Sequence, residues 1–318
     1  MKYKPIIIVN GEPKSIFIEI FFKALKFKKF KSPIILISSV KLLKFYMKKF
    51  NIKKKIKMID IKNHSYENLN NDAINLININ LKNLKDIGNA SNIFINNSFK
   101  IGLELVKKKI SKKFINGPVA KKKFLNKNYL GITEYIANKT NTKTFAMLIY
   151  NEKLSVCPLT THLPIKKVVQ KITRKNILEK VFLINDFYLK YKKIKPKIAI
   201  LGLNPHCESN DKFNEDDKII KPAVKYLSKL KYNISGPYPA DTIFLKKNRE
   251  KFDVILGMYH DQVLSPMKTL FEYDAINITL GLPFIRISPD HGPNIKMVGK
   301  NISNPLSLIK SINFLDKI

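Results

Sequence analysis

Short apolar runs alternate with helix-like segments through the first sixty residues, and this alternation limits the possible folds more than any other feature. Strand-like runs occupy residues 5–9, 33–38 and 55–59, and helix-like segments follow the first two at 16–25 and 40–50. Repeated strand–helix units fold as a mostly parallel sheet covered by helices. We therefore predict an α/β protein, and 318 residues are enough for two domains.

The later segments continue this pattern with turns and loops between the elements. The Asn-rich stretch 63–80 is weakly patterned, and we predict a loop with one helix there. Strand-like runs at 144–150 and 154–160 are joined by a tight turn, which predicts an antiparallel pair. The other predictions are a crossover loop at 116–124, helices from 131 and at 176–191, a strand at 197–203, a Pro-rich loop entering a helix at 236–244, two strands about a Gly-Leu-Pro turn at 277–288, and a last helix with Asn304 as cap and Pro305 as first residue.

The charge is the strongest compositional feature, with 59 Lys and Arg against 24 Asp and Glu and a net charge of +35. Binding to nucleic acid or to an anionic membrane is one interpretation. Compositional drift is favoured, because Lys, Ile, Asn, Phe and Tyr share AT-rich codons and no recognisable nucleic-acid-binding motif accompanies the charge. A positive field would still attract a phosphorylated, anionic substrate.

Several classes of protein are not supported by the sequence. Cys157 and Cys207 form neither a disulfide framework nor a CxxC metal pair, which suits a reducing cytoplasm. Lysines interrupt every long apolar run, so we predict no transmembrane or targeting segment. The glycine-rich motifs of Rossmann and P-loop nucleotide sites are missing, and so is the nucleophile elbow of many hydrolases.

Three apolar runs are each followed by a histidine, namely His162, His206 and His260. In open α/β sheets, ligands bind outside the carboxyl ends of the strands, so the three side chains are expected to converge. Three imidazoles suit Zn²⁺ or another divalent first-row ion with positions left open for a substrate. The alternative for each histidine is a buried residue of the core.

Other polar side chains lie near these histidines in the sequence. Asp261 and Asp241 are each suited to orient a ligand histidine or to act as a general base, and Asp241 could instead cap a helix. Lys268, Asn277 and Arg286 are donors that suit a phosphate or a carboxylate. Arg286 is the strongest of these three candidates for binding an anionic group, because arginine is rare in this lysine-rich chain.

Five motifs follow one another through the C-terminal two-thirds of the chain. They are TTHLP at 160–164, GLNPH at 202–206, GP-x-PADT-x-F at 236–244, MYHDQ at 258–262 and NITLGLPFIR-x-S-x-DHG at 277–292. In these motifs and their order the chain resembles the 4-hydroxythreonine-4-phosphate dehydrogenase family of vitamin B6 biosynthesis. The N-terminal third keeps only GEP at 11–13 and GPV at 117–119.

The resemblance implies a two-domain α/β/α fold like that of isocitrate and isopropylmalate dehydrogenases, without the Rossmann fingerprint. The first domain would comprise 1–125 and 280–318, and the second, 126–279, would carry the histidines. The active site would lie in the cleft between them, in a homodimer that shares the metal site across its interface.

The resemblance also implies an activity and a set of site residues. The reaction would oxidise 4-phosphooxy-L-threonine with NAD, or with NADP, and then decarboxylate the product, with Zn, Mg, Co or Mn as the metal. The implied residues are His162, His206 and His260 for the metal, with His260 from the partner subunit; Ile132, Thr133, Lys268, Asn277 and Arg286 for the substrate; and Asp241, Asp261 and Lys268 for catalysis.

The chain departs from the family pattern at several places, which include Ala120 after GPV and CESND after GLNPH. Ile132 stands in GITE where the family usually has GHTE, so a histidine that binds substrate is missing. The glycine-rich continuation that usually follows GEP is KSIFIE here. These departures keep two alternatives open: a related enzyme for another phosphorylated hydroxy acid, or a non-catalytic basic protein that binds nucleic acid. The complete histidine triad argues against the second.

Overall fold

The structure, a computed structural model, describes residues 3–27, 29–61, 66, 69–81, 87–119, 129, 131–210 and 213–318. Its strands are β1 (Ile6–Val9), β2 (Ile34–Ser38), β3 (Ile56–Met58), β4 (Ile74–Asn78), β5 (Lys113–Asn116), β6 (Ala146–Tyr150), β7 (Ser155–Thr160), β8 (Ile198–Leu201), β9 (Ile234–Tyr238), β10 (Val254–Tyr259), β11 (Ile276–Leu280) and β12 (Ile285–Pro289). Its α-helices are α1 (Phe17–Phe27), α2 (Val40–Lys49), α3 (Ile87–Lys107), α4 (Ile132–Lys139), α5 (Arg174–Phe187), α6 (Lys221–Lys229), α7 (Ala240–Ile243), α8 (Lys246–Arg249), α9 (His260–Phe271) and α10 (Leu306–Asp316).

The chain divides into two compact units, and the first comprises Met1–Ile136 and Pro283–Ile318. Its strands lie in the order β3-β4-β2-β1-β5-β12, and each neighbouring pair is parallel. Every residue of β1 and β2 is buried, which is expected where helices cover both faces of a parallel sheet. Helix α3 packs against β1 and β2, while α10 packs against β12 and α1.

The second unit comprises Ala137–Leu282, with strands in the order β11-β6-β7-β10-β8-β9. Strand β6 pairs antiparallel with both β11 and β7, and the remaining pairs are parallel. Helix α9 packs on β7 and β10 and buries Val263 and Met267 in the core. The carboxyl ends of β7, β10 and β8 therefore lie side by side at one edge of this sheet.

The predicted α/β fold with a mostly parallel sheet is confirmed, but the helix expected in the Asn-rich stretch 63–80 is wrong. Strand β4 lies there, although residues 62–65 and 67–68 are outside the described part. Asn75 is the reason that the strand is hard to see in the sequence. Its side chain is buried, and its amide donates to the backbone oxygens of Ile34 (3.0 Å) and Asn70 (2.7 Å), so a polar residue is satisfied inside the sheet.

Two other local predictions need correction. The Pro-rich segment expected as a loop from Gly236 begins within β9, and this proline-containing strand lies at the edge of the sheet, where a missing N–H is tolerated. The last helix begins at Leu306 with Pro305 as its N-cap, while the Asn304 side chain accepts a bond from the Leu306 N–H at 2.9 Å. Helix α3 and strand β5 are not among the predicted elements.

The crossover loop and the domain boundaries are two predictions that the helices and strands do not test. Residues 120–124 of the predicted crossover loop lie outside the described part, and its first residue, Asn116, ends β5. The domain boundaries inferred from the family stay a prediction. None of the helices in the described ranges has the length and apolar character needed to cross a membrane.

Lys113 is a buried cation inside the first sheet, and its removal is expected to stabilise the protein. Its ammonium donates to the Ser32 hydroxyl at 3.2 Å; burial lowers its pKa, and Asp316 opposes that shift. Because the folded-state pKa lies below the unfolded value, the charged lysine opposes folding at neutral pH, and this opposition lessens as pH rises through the folded pKa. Lys113→Met should raise Tm at pH 7 by roughly 2 °C, with a smaller gain in alkaline buffer.

Thermal unfolding followed by circular dichroism measures this effect. Lys57→Met is the matched control, because Lys57 lies on β3 of the same sheet and is exposed. It should leave Tm unchanged. A lower Tm for Lys113→Met at neutral pH would contradict the prediction.

Candidate active site

The three histidines follow adjacent strands of the second unit. His162 comes two residues after β7, and His260 directly follows β10 as the first residue of α9. His206 follows β8 in a short turn, Pro205–Cys207. Because β7, β10 and β8 are neighbouring parallel strands, their three histidines start from the same edge of one sheet.

His162 and His260 are the two histidines that the structure brings together. Their ring centroids lie 5.7 Å apart, and both side chains are accessible. Two imidazoles with bonds of about 2.0–2.1 Å to one Zn²⁺ ion have rings at about this spacing, so the pair fits a shared divalent ion. Among the described residues, no group of three or more His, Cys, Asp or Glu side chains is close enough to hold a metal ion.

His260 lies beside His162 of the same chain, whereas the family resemblance assigns it to the partner subunit. Asp261 orients its ring, since the Asp261 carboxylate lies 2.7 Å from His260 Nδ1. A carboxylate at this distance holds the proton on Nδ1 and leaves Nε2 with a lone pair for a ligand. Of the two roles considered for Asp261, orientation of a histidine is the one that this geometry supports.

His162 and His206 both have left-handed backbone conformations, with φ of 45° and 56°. Few non-glycine residues adopt this region, and such strain is concentrated at active sites and ligand clamps. No sequence pattern predicted these backbone conformations. They also determine how these residues should be replaced, because asparagine tolerates positive φ better than alanine does.

Asp216 holds the loop that leads to His206. Its carboxylate is fully buried and accepts bonds from the N–H groups of Leu203 (2.8 Å) and Asn204 (3.1 Å) and from the Asn204 side chain (2.9 Å). A Cβ on Gly202 would lie 2.6 Å from the same carboxylate, so this position must be glycine. We missed Asp216 because it stands outside every motif.

Asp241 lies in the first turn of α7 and does not cap the helix, since the N-cap is Pro239. Its carboxyl is exposed. The pKa of Cys207 is raised first by burial, then by the charge of Asp216, and to a smaller extent by the charge of Asp241. Asp241 therefore lies near the loop that carries His206. This position supports a role at the same edge of the sheet and removes the capping alternative.

Arg286 is the centre of a polar cluster in the first unit. It lies on β12, is fully buried, and donates from Nε to Asn116 Oδ1 at 2.6 Å and from Nη1 to Thr133 Oγ1 at 3.1 Å. Burial lowers its pKa to about 10, and Glu134 opposes that shift, so the guanidinium is charged at neutral pH. Ile132, half-buried at the start of α4, adds no hydrogen-bonding group.

Asn116 is a second residue that the sequence reasoning missed, although it directly precedes the GPV motif. Its amide donates to the Gly117 oxygen at 2.8 Å, which turns Oδ1 toward Arg286. The GEP and GPV motifs also meet: the Glu12 N–H donates to the Pro118 oxygen at 2.7 Å, and a Cβ on Gly11 would collide with that oxygen. The two segments retained in the N-terminal third thus form one contact.

Lys268 and Asn277 belong to the second unit. Lys268 is half-buried on α9, and Asn277 lies on β11 opposite Ile149 of β6. The Asn277 side-chain oxygen is buried and accepts no hydrogen bond from the residues that the structure describes. An acceptor of this kind suits a hydroxyl or ammonium donor of a substrate.

Comparison with known proteins shows the family. The family model described as pyridoxal phosphate biosynthetic protein PdxA matches residues 29–315. The chain is 44% identical over 233 residues to a protein of Sulfurihydrogenibium sp. named 4-hydroxythreonine-4-phosphate dehydrogenase, covering 72% of this chain and 70% of that one. It is 37% identical over 186 residues to a D-threonate 4-phosphate dehydrogenase of Pectobacterium atrosepticum, covering 58% of this chain and 57% of that one.

Solved structures agree with this relationship. The fold matches that of a protein from Salmonella typhimurium described as a putative 4-hydroxythreonine-4-phosphate dehydrogenase, with a TM-score of 0.83, 27% identity and 99% of both chains covered. The isocitrate dehydrogenase of Methylococcus capsulatus shares the fold alone, with a TM-score of 0.51, 11% identity, and 97% of this chain and 83% of that one covered. The chain belongs to the PdxA family of pyridoxal phosphate biosynthetic proteins.

Proposed function

We propose that this chain oxidises the 3-hydroxyl of 4-phosphooxy-L-threonine with NAD⁺, giving 2-amino-3-oxo-4-phosphooxybutanoate. This β-keto acid then loses CO₂ to give 3-amino-2-oxopropyl phosphate, a step of pyridoxal phosphate biosynthesis. The observation that carries the proposal is the 44% identity to a protein named for this activity, over 72% of the chain. NADP is the alternative hydride acceptor. Two buried, free cysteines suit a cytoplasmic enzyme.

The proposal assigns a divalent metal, Zn, Mg, Co or Mn, to His162, His206 and His260. Such an ion lowers the pKa of a bound hydroxyl and polarises a carbonyl. The 5.7 Å spacing of the His162 and His260 rings supports this assignment, as does the carboxylate of Asp261 on His260 Nδ1. His206 starts from the neighbouring strand end.

The remaining site residues would bind the substrate and move protons. With NAD⁺ bound to accept the hydride from C3, Asp241, whose carboxyl is exposed, would take the hydroxyl proton. When CO₂ departs, its bonding electrons pass to the ketone oxygen, and Lys268 supplies the proton that C2 finally takes. Arg286, Thr133 and Asn277 would hold the anionic and polar groups of the substrate.

The absorbance of NADH, measured with 4-phosphooxy-L-threonine, tests the activity and its metal dependence. We expect turnover that EDTA abolishes and added metal restores. His206→Asn keeps a residue that tolerates the left-handed backbone and should lose turnover. A folded, metal-loaded protein with no turnover would contradict the proposal.

A homodimer with a shared metal site is also proposed, and a mixture of two inactive variants tests the sharing. If His260 serves the partner subunit, a heterodimer of His162→Asn and His260→Asn chains contains one complete site. The mixture should therefore regain activity after subunit exchange. If both histidines serve the same chain, as their 5.7 Å ring spacing in one chain allows, the mixture stays inactive.

A second candidate substrate is D-threonate 4-phosphate, which carries a hydroxyl where the threonine derivative carries an ammonium. Two observations favour it: the 37% identity to a protein named D-threonate 4-phosphate dehydrogenase, and Ile132 in place of the family's histidine. The ratio of kcat/KM for the two substrates separates the candidates. A clear preference for D-threonate 4-phosphate would replace the first proposal while keeping the reaction type.

Restoring the missing histidine is expected to improve substrate binding. Ile132 is half-buried at the first position of α4, and a histidine there would add a donor. A hydrogen bond to a charged group contributes roughly 1.5 kcal/mol, so KM for the preferred substrate should fall about tenfold in Ile132→His. Ile132→Leu is the control and should keep the original KM. An unchanged KM in Ile132→His would show that this position does not contact the substrate.

A further inference from the structure

The strand ends that lead to the three histidines are joined by side-chain hydrogen bonds. Met258, near the end of β10, is the centre of this connection. Its oxygen accepts from the Thr160 hydroxyl of β7 at 2.8 Å, and its N–H donates to Gln262 Oε1 at 2.6 Å. Gln262 Nε2 in turn donates to the Gly202 oxygen, just after β8, at 2.8 Å. One glutamine therefore links the segment of His260 to the segment of His206.

The backbone around Gln262 is arranged for this close approach. A Cβ on Gly257 would lie 3.0 Å from Gln262 Oε1 and would collide with Val263, so glycine in β10 lets the first turn of α9 reach the sheet. Gly202 is equally restricted by Asp216 and by the Cys207 sulfur, each 2.6 Å from a Cβ placed there. Both glycines keep the donor and the acceptor of the Gln262 amide within reach of backbone groups.

A glutamine amide is suited to this position because it carries a donor and an acceptor on one planar group. Methionine has almost the same length and volume but makes neither bond, so Gln262→Met removes the connection without opening a cavity. The other glutamine of the chain, Gln170, lies exposed in a short turn, Val169–Lys171, and provides a matched control.

We propose that Gln262 is a positioning residue of the metal site: it joins the end of β10 to the loop after β8 and so holds His260 and His206 in place, including where His260 serves the site of the partner subunit. Thr160 makes the corresponding hydrogen bond between β7, which leads to His162, and β10. Neither residue ligates the metal. The inference rests on the proposed function, since it requires that the three histidines bind a metal.

The affinity of the metal-free, full-length protein for Zn²⁺, measured by competition with a chromophoric chelator, tests the inference. Residues that orient metal ligands typically contribute about 10–100-fold to metal affinity. We expect the Kd for Zn²⁺ to rise by this factor in Gln262→Met. The metal-free variant should stay folded but with a lower Tm, because the Met258 N–H and the Gly202 oxygen lose their partners. Gln170→Met should match the wild type. A wild-type Kd in Gln262→Met would overturn the inference.

Two further variants distinguish a failure of the positioning role from a failure of the proposed metal site. Thr160→Val removes the bond to Met258 on the other side and should weaken Zn²⁺ binding in the same direction, which serves if Gln262→Met does not fold. His162→Asn identifies binding at the proposed site. If the wild type binds no Zn²⁺, or if His162→Asn binds it equally well, the proposed metal site and this inference both fail. If His162→Asn weakens binding while Gln262→Met and Thr160→Val do not, only the positioning role is wrong.

Discussion

Gly117→Ala is expected to lower the free energy of unfolding by about 3 kcal/mol or more, a large part of the roughly 5–15 kcal/mol that is typical of a folded protein. A Cβ at this position would collide with the backbone oxygen of Asn10 and lie 2.8 Å from ring atoms of Phe17. Both neighbours are buried, so neither can move aside without disturbing β1 or α1. Because tryptophan is absent, urea unfolding is best followed by circular dichroism.

Gly292→Ala is the control for this variant. Among the described residues, a Cβ on Gly292 would meet only the Asn294 side chain, at 3.8 Å, and the backbone conformation of Gly292 is open to other residues. Its midpoint in urea should stay close to that of the wild type. A Gly117→Ala protein with the wild-type midpoint would show that Asn10 and Phe17 leave room for a methyl group at this position.

Arg286→Lys is the second change with a large expected effect, and it should reduce both stability and activity. A lysine keeps the charge but lacks the forked guanidinium that reaches Asn116 and Thr133 together. Disrupting a buried, hydrogen-bonded charge destabilises a protein by about 3 kcal/mol. The loss of one charge-assisted bond in substrate binding lowers kcat/KM by roughly 10–100-fold.

Urea unfolding and steady-state kinetics measure the two effects. Arg249→Lys is the matched control, because Arg249 is partly exposed and donates to the Phe244 backbone oxygen at 2.8 Å. It should change neither quantity appreciably. If Arg286→Lys were folded and fully active, Arg286 would have no part in the substrate site.

The sequence was sufficient for the parts of the fold that depend on local patterns. Continuous apolar runs located β1, β2 and β10, because strands covered on both faces need apolar side chains throughout. The prediction failed at β4, where the buried Asn75 interrupts the apolar pattern but donates hydrogen bonds to Ile34 of the neighbouring strand β2 and to Asn70. A residue satisfied by distant backbone groups cannot be distinguished from a loop residue by local composition.

The common sheet edge of the three histidines was also predicted from the sequence, and their role as metal ligands stays a prediction. The histidines were found because each follows an apolar run, and parallel pairing of β7, β10 and β8 then brings those runs together. The buried Asp216, the orientation of Asn116 and the left-handed backbones of His162 and His206 were not found. These features depend on contacts between segments far apart in the sequence.

The two cysteines provide a chemical measure of how the second unit opens. Cys157 is fully buried on β7, and burial raises the pKa of its thiol to about 12. Cys207 is buried beside Asp216 in the loop of His206, and its pKa is also raised. Alkylating reagents attack the thiolate, so neither residue should react while the unit is closed. In a labelling time course, modification of Cys207 alone would report opening of the histidine loop, whereas modification of Cys157 would report unfolding of the sheet.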